Sequence, residues 1–111
     1  MHKTHSVVST KLGSKYLQQL CKHFNHKVTV DFNPETARVD FPFGLCFMVA
    51  TDNSLTFYIQ SPKPEGLMRT QAVIDDHLLR FGFREELVIE WQDDLPEDLP
   101  IDKLPDLREM T

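Results

Sequence analysis

A chain of 111 residues, 41% hydrophobic and 26% charged, has the size of one domain and can bury a core without disulfides or metal. Its net charge is −5, yet residues 1–92 hold ten acidic and ten basic side chains, so the whole excess lies in residues 93–111, with seven acids and two bases. A neutral body with an acidic tail lacks the cationic footprint that nucleic acids and anionic membrane surfaces require, so no nucleic-acid or membrane partner is expected.

HSVVST, residues 5–10, is a short β-branched run and reads as a strand. In KLGSKYLQQLCKHF, Leu17, Leu20, Cys21 and Phe24 recur at helical spacing, which predicts a helix over 14–25 with Gly13 or Ser14 as its cap. The period then drops to two. KVTVDF puts Val28, Val30 and Phe32 on one face. After a turn signal at Asn33-Pro34-Glu35-Thr36, ARVDF does the same with Ala37, Val39 and Phe41. Pro42 and Gly44 break the pattern. LCFMVA resumes it, with Leu45, Phe47 and Val49 assigned to the core and Cys46, Met48 and Ala50 to the opposite face. Asp52-Asn53 marks a hairpin, and LTFYIQ sends Leu55, Phe57 and Ile59 inward.

SPKPEG opens a second helix, with Ser61 as a cap and prolines near the first turn. Leu67, Ile74, Leu78 and Phe81 form its buried stripe, flanked by Thr70 and His77. Gly82 stands where a C′ glycine belongs, with Phe83 folding back on Leu78. ELVIEW, with Leu87, Ile89 and Trp91 alternating, reads as the last strand. Residues 1–92 are thus expected to form a single domain. Residues 93–111, with three prolines, are expected to be disordered or draped loosely over it through Leu95, Leu99 and Leu104. The expected order, β-α-β-β-β-α-β, specifies an α+β two-layer sandwich: a largely antiparallel sheet with both helices on one face.

The other face of the sheet should carry Thr29, Asp31, Arg38, Asp40, Cys46, Met48, Thr56, Tyr58, Gln60, Val88 and Glu90. Such a face can simply be solvated. Alternatively Cys46, Met48, Tyr58 and Val88, rimmed by charges such as Arg38 and Asp40, form a patch for a partner, most readily a second copy of the chain.

Chemical candidates gather in CKHFNHK, residues 21–27. Cys21 lies on the apolar stripe and points about 160° away from His23, so the two do not share an ion. His23 and His26 are three residues apart, and His77 could join them if the helices pack side by side, giving a low-count transition-metal site. The competing reading is that Lys22, His23, His26 and Lys27 place positive charge at a helix C-terminus, where it is favoured. His77 can equally be a hydrogen-bonded core histidine, or a ligand or base oriented by Asp75, Asp76 or Glu85. A thiol enzyme would pair Cys46 or Cys21 with His77, but the expected faces put the sheet between Cys46 and His77. In FREE, residues 83–86, a structural salt bridge is expected. The chain has no P-loop, G-x-G-x-x-G, G-x-S-x-G or H-E-x-x-H. Two cysteines make no disulfide framework, no signal-peptide pattern opens the chain, and no apolar run approaches bilayer length, so a cytoplasmic protein with reduced thiols is expected. The first functional reading is a small, non-catalytic, homodimeric binding module. The alternatives are a metal-binding protein using His23, His26 and His77, and a thiol-dependent enzyme using Cys46.

Taken together, KYLQQLCKHFNHK, VDFPFGLCFM and HLLRFGFREELVIEW resemble the bacterial domain of unknown function 2218 family, in that order and over roughly residues 3–92. Members of that family carry RFAFRE where this chain has Gly82. The family has no established activity, so the resemblance supplies no catalytic residues. It implies that the segments holding Cys21, His23, His26, Asp40, Gly44, Cys46, His77, Arg80 and Arg84 are family signatures. Some relatives accompany siderophore-interacting or iron-uptake proteins, which gives the metal alternative an iron-related cast.

Overall fold

The computed structural model describes residues 2–93. In chain order it has β1 (His2–Ser9), α1 (Gly13–Phe24), β2 (Thr29–Phe32), β3 (Thr36–Phe41), β4 (Gly44–Ala50), β5 (Ser54–Ser61) and α2 (Pro64–Phe81). Every strand pairing is antiparallel, and the sheet order is β1-β5-β4-β3-β2. Both helices lie on one face. Leu17, Leu20, Cys21 and Phe24 of α1 and Ile74 and Leu78 of α2 join Val39, Cys46, Met48, Phe57 and Ile59 of the sheet in one core. The α+β two-layer sandwich is therefore the architecture of the chain. Among the described residues no helix is long and apolar enough to cross a membrane.

Two details of the order differ from expectation. Four strands separate the helices, at the four alternating runs KVTVDF, ARVDF, LCFMVA and LTFYIQ, so the expected order counted one strand too few. The final strand is absent: over 85–91 no ladder forms, and Gln92 alone makes a bridge, exchanging backbone hydrogen bonds with His5 at 3.1 and 2.8 Å. Leu87, Ile89 and Trp91 still alternate, because each tucks against the core while its neighbours face out. Their alternation records one-sided burial rather than strand pairing. Val88 is 64% exposed there and Glu90 is exposed, on a segment beyond the edge of the sheet. The expectation for the tail falls outside the described residues, apart from Asp93.

The largest correction concerns β4. Cys46 and Met48, expected on the face away from the helices, are fully buried on the helix side, while Leu45, Phe47 and Val49 point the other way. The turn between β3 and β4 dictates this. Phe41 pairs with Gly44, so only Pro42 and Phe43 form the loop, and the register carries Val39 opposite Cys46 and Ala37 opposite Met48. Directly paired residues share a face, so β4 inherits its polarity from β3 whatever the sizes of its side chains. Phe47 thus lies in a cross-strand row with Tyr58, His5 and Arg38. That second face is not open either: Phe47 is 0% and Tyr58 6% exposed.

Glycines set the distance between α2 and the β3–β4 turn. A Cβ at Gly66 would collide with the Phe43 carbonyl oxygen and Ser61 Oγ, and one at Gly44 with Thr70 Oγ1. Ser61 does not cap α2 at its N-cap position, which Lys63 holds without a side-chain bond. Instead Ser61 Oγ donates to the Phe43 carbonyl at 2.8 Å and accepts from the Lys63 N–H at 3.3 Å, tying turn to helix. Gly82 has φ −99°, an ordinary value for any residue, so it is no left-handed C′ glycine. What crowds it is Leu87, while Phe83, expected to fold back, is 74% exposed.

Candidate functional site

The C-terminus of α1, the middle of α2 and the β3–β4 turn meet around a cleft of about 320 Å³. From α1 come His23 and Phe24, followed by Lys27 and Val28; from α2 come Arg69, Val73 and His77; from the turn come Phe41, Pro42 and Phe43. The local reasons are simple. Backbone N–H groups of Lys27 and Val28 both bond the Phe24 carbonyl, at 2.9 and 3.0 Å, so α1 stops sharply and swings Lys27 to the rim. On α2, Arg69, Val73 and His77 succeed one another at intervals of four and form one stripe. Pro42 and Phe43 fill a two-residue turn that projects toward that stripe.

Aromatic contacts organise the interior. The rings of His23 and His77 are 4.7 Å apart at 49°, and His77 meets Phe24 edge-on at 5.1 Å. Phe24 meets Phe41 at 5.1 Å and 79°, Phe41 stacks on Phe43 at 5.4 Å and 11°, and the Arg69 guanidinium sits 4.5 Å above the Phe43 ring. Such edge-on and cation–π geometries are favourable and directional, and they give the cleft a fixed shape.

His77 Nδ1 lies 2.7 Å from the Val73 carbonyl oxygen. A carbonyl only accepts, so Nδ1 carries the proton and Nε2 is the ring's remaining acceptor in the neutral form. The pKa of His23 is lowered from 6.5, first by loss of water around the ring and then by the positive charges of His77, Lys27, His26 and Arg80. Lys27 and Arg69 bring positive charge to the cleft, and among the described residues no acidic side chain lines it.

The remaining expectations find other placements. His26 is exposed beyond α1 and does not join the pair; among the described residues no group of three or more His, Cys, Asp or Glu could hold a metal ion. The carboxylates proposed to orient His77 are engaged elsewhere. Asp75 accepts from Trp91 Nε1 at 2.9 Å, Asp76 from Arg80 at 3.2 Å, and Glu85 from the hydroxyls of Thr10 and Tyr16. Glu85 thus serves two hydroxyls instead of a salt bridge within FREE. Arg38 and Asp40 pair with each other at 3.0 Å on the second face, the side of the sheet away from the helices. Both thiols are buried: desolvation raises Cys21 to about 12 and pushes Cys46 well above its ordinary value, with Cys21 adding to the latter. Neither is poised as a nucleophile.

Sequence reading missed Lys27, Phe41, Phe43 and Arg69 as members of the site. A signal for the rings existed in F-P-F: two aromatics flanking a proline in a two-residue turn stack on each other. Lys27 lay in the basic run CKHFNHK but only as charge at a helix end, and no pattern in the sequence marked Arg69.

Comparison with known proteins agrees with this fold. Residues 5–92 match the family described as "Uncharacterized protein conserved in bacteria (DUF2218)". The chain belongs to that family. Among solved structures, the NMR structure of PA4090 from Pseudomonas aeruginosa superimposes with a TM-score of 0.73 at 33% identity, covering 86% of this chain and 100% of that one. No curated protein matches. Membership in DUF2218 carries no assigned chemistry, so the cleft itself bears the functional argument.

Proposed function

We propose that this DUF2218 protein is a small binding module whose cleft between α1, α2 and the β3–β4 turn takes an organic anion with an aromatic or apolar body. One observation carries the reading: the cleft is lined by His23, Lys27, Arg69 and His77 together with Phe24, Phe41 and Phe43, and by no carboxylate, in a chain of net charge −5. Cationic donors suit a carboxylate, sulfonate or phosphate, and ring faces suit a flat hydrocarbon. Among the described residues the cleft holds two imidazoles but no thiol, hydroxyl or carboxylate side chain beside them, and we read the module as non-catalytic. A cytoplasmic setting belongs to the same proposal, since two free thiols suit a reducing compartment. The homodimer expectation rested on an outward patch of Cys46, Met48, Tyr58 and Val88; Cys46 and Met48 lie in the core, Tyr58 is buried and Val88 is exposed beyond the sheet, so that patch does not support it.

The test uses 1-anilinonaphthalene-8-sulfonate, a fluorescent aromatic anion. The native protein should enhance its emission saturably, and benzoate should displace it while neutral benzamide does not. The Lys27→Ala/Arg69→Ala double variant, altered at exposed positions, should lose that binding. Equal competition by benzamide, or unchanged binding in the double variant, would refute the reading.

A second reading rests on the separation of His23 and His77. Two imidazoles, one of them with its Nδ1 held by a carbonyl and its Nε2 turned loose, resemble half of a transition-metal site. Three or four ligands are needed for a structural ion, so a metal would arrive with ligands of its own, as a chelate. Calorimetry with Ni²⁺ and Zn²⁺, alone and with nitrilotriacetate, separates the cases: binding only of the chelate, lost in His77→Gln, supports this reading, and no binding of either form removes it.

A further inference from the structure

On the far side of the same turn lies a second cavity of about 270 Å³, facing the second sheet surface and differing from the cleft in its chemistry. Its apolar walls are Phe41, Pro62 and Leu45, closed above by the Pro42–Phe43 turn. The polar side chains that line it are Asp40 and Gln60, both offering acceptor oxygens. Gln60 is 3% exposed, and its Oε1 is buried with no hydrogen-bond partner.

Buried polar atoms are nearly always paired, because leaving one without a donor forfeits the hydration it had in the unfolded chain. Here none of the described residues supplies the donor. Lys3, whose Cα faces Gln60 across β1, makes no bond to Oε1. Asp40 Oδ1 accepts from Arg38 Nε at 3.0 Å, and its side chain stays 40% exposed. An amide oxygen and a carboxylate beside ring faces select a group that donates several hydrogen bonds and carries positive charge.

We propose that this cavity is a binding site for a primary ammonium group on a short apolar stem. The N–H donors would meet the Asp40 carboxylate and, once the Gln60 side chain turns toward the cavity, its Oε1, and the stem would lie against Phe41, Leu45 and Pro62. This proposal does not rest on the anion reading: the two sites share Phe41 and the Pro42–Phe43 turn, but the polar groups here, Asp40 and Gln60, are other residues and suit the opposite charge.

The experiment is an NMR titration of the ¹⁵N-labelled full chain with n-butylammonium at neutral pH. Saturable shifts are expected at the amides of Gly44, Leu45 and Gln60, and none from 1-butanol. Butyltrimethylammonium has the charge without an N–H donor and should bind about tenfold more weakly or worse. Gln60→Leu, which replaces a buried amide by an apolar side chain and keeps the fold, should weaken n-butylammonium by about tenfold or more, and Asp40→Asn should weaken it by a similar factor. An arm with Nα-acetyl-lysine amide identifies the source: binding there points to a lysine side chain of a partner, and binding of n-butylammonium alone points to a free amine. Absence of saturable shifts from either amine, equal binding of the quaternary analogue, or unchanged binding in Gln60→Leu would each overturn the assignment.

Discussion

The imidazoles of His23 and His77, carried by different helices, stand 4.7 Å apart across the cleft. Two rings this close cannot both be charged at low cost, and Lys27, His26 and Arg80 add to the field at His23. The first prediction follows from the lowered His23 pKa. The unfolded chain takes up a proton near 6.5 and the folded chain only at lower pH, so stability from this group is present above 6.5 and is lost as pH falls through that window. The Cε1–H resonance of His23 should titrate below 6.5, and in His77→Gln its midpoint should move up toward that value. Because loss of water is the larger cause, the recovery should be partial. A His23 midpoint at or above 6.5 in the native protein would contradict the geometry.

How much of this could be read beforehand differs by element. Both helices were legible because their apolar stripes, Leu17-Leu20-Cys21-Phe24 and Ile74-Leu78, have one interpretation at 3.6 residues per turn. β4 was not, since Leu45, Phe47 and Val49 are larger than Cys46, Met48 and Ala50, and bulk suggested the core. Polarity comes from the register, and the register from a two-residue turn whose length the sequence does not print. The pairing of His23 with His77 was conceivable from the sequence. Only the packing of α1 against α2 decided it, and the same packing left His26 outside.

The second prediction concerns the thiols. Cys21 and Cys46 are fully buried, and burial drives both thiols away from ionisation. Native protein should react with Ellman's reagent only on the timescale of unfolding, and both thiols should react at once in guanidinium. Met48→Glu should be strongly destabilising, by roughly 3 kcal/mol or more, because it buries an unpaired charge at a core position. Rapid labelling of either cysteine, or a harmless Met48→Glu, would place β4 the other way up.

Glycine substitutions give the third prediction, and it is a contrast. Gly66→Ala drives a methyl into the Phe43 carbonyl and Ser61 Oγ, of which the first is backbone and cannot turn aside. It should cost about 1–3 kcal/mol and splay the β3–β4 turn from α2. Gly82→Ala meets chiefly the flexible end of Leu87, at a backbone φ of −99° that alanine adopts freely. A cost of about 1 kcal/mol or less is expected there. The alanine that the family resemblance implies at this position is consistent with that tolerance. Thermal melts of both variants check it, and equal losses would mean that Gly82 serves a conformational role after all.

The last prediction tests how the segment after α2 is fastened. Glu85 receives the hydroxyls of Tyr16 and Thr10, the latter at 3.0 Å, and so fixes the departing chain to α1 and to the end of β1. Desolvation, then the hydrogen bond to Glu85 and its negative charge, raise Tyr16 to about 12 from 10.0. The sign is that of a group whose folded pKa exceeds the unfolded one: its contribution is complete below pH 10 and is lost as pH rises from 10 toward 12. Absorbance at 295 nm should show Tyr16 ionising late in the folded protein, a step absent in Tyr16→Phe. Glu85→Gln should bring that step part of the way back toward 10, because burial remains while the charge is gone. Glu85→Ala should cost about 1–3 kcal/mol by leaving two hydroxyls without their acceptor. It should also speed hydrogen exchange of the Gln92 amide, which His5 holds at 2.8 Å. If that amide exchanges no faster in Glu85→Ala, the carboxylate does not fasten the segment.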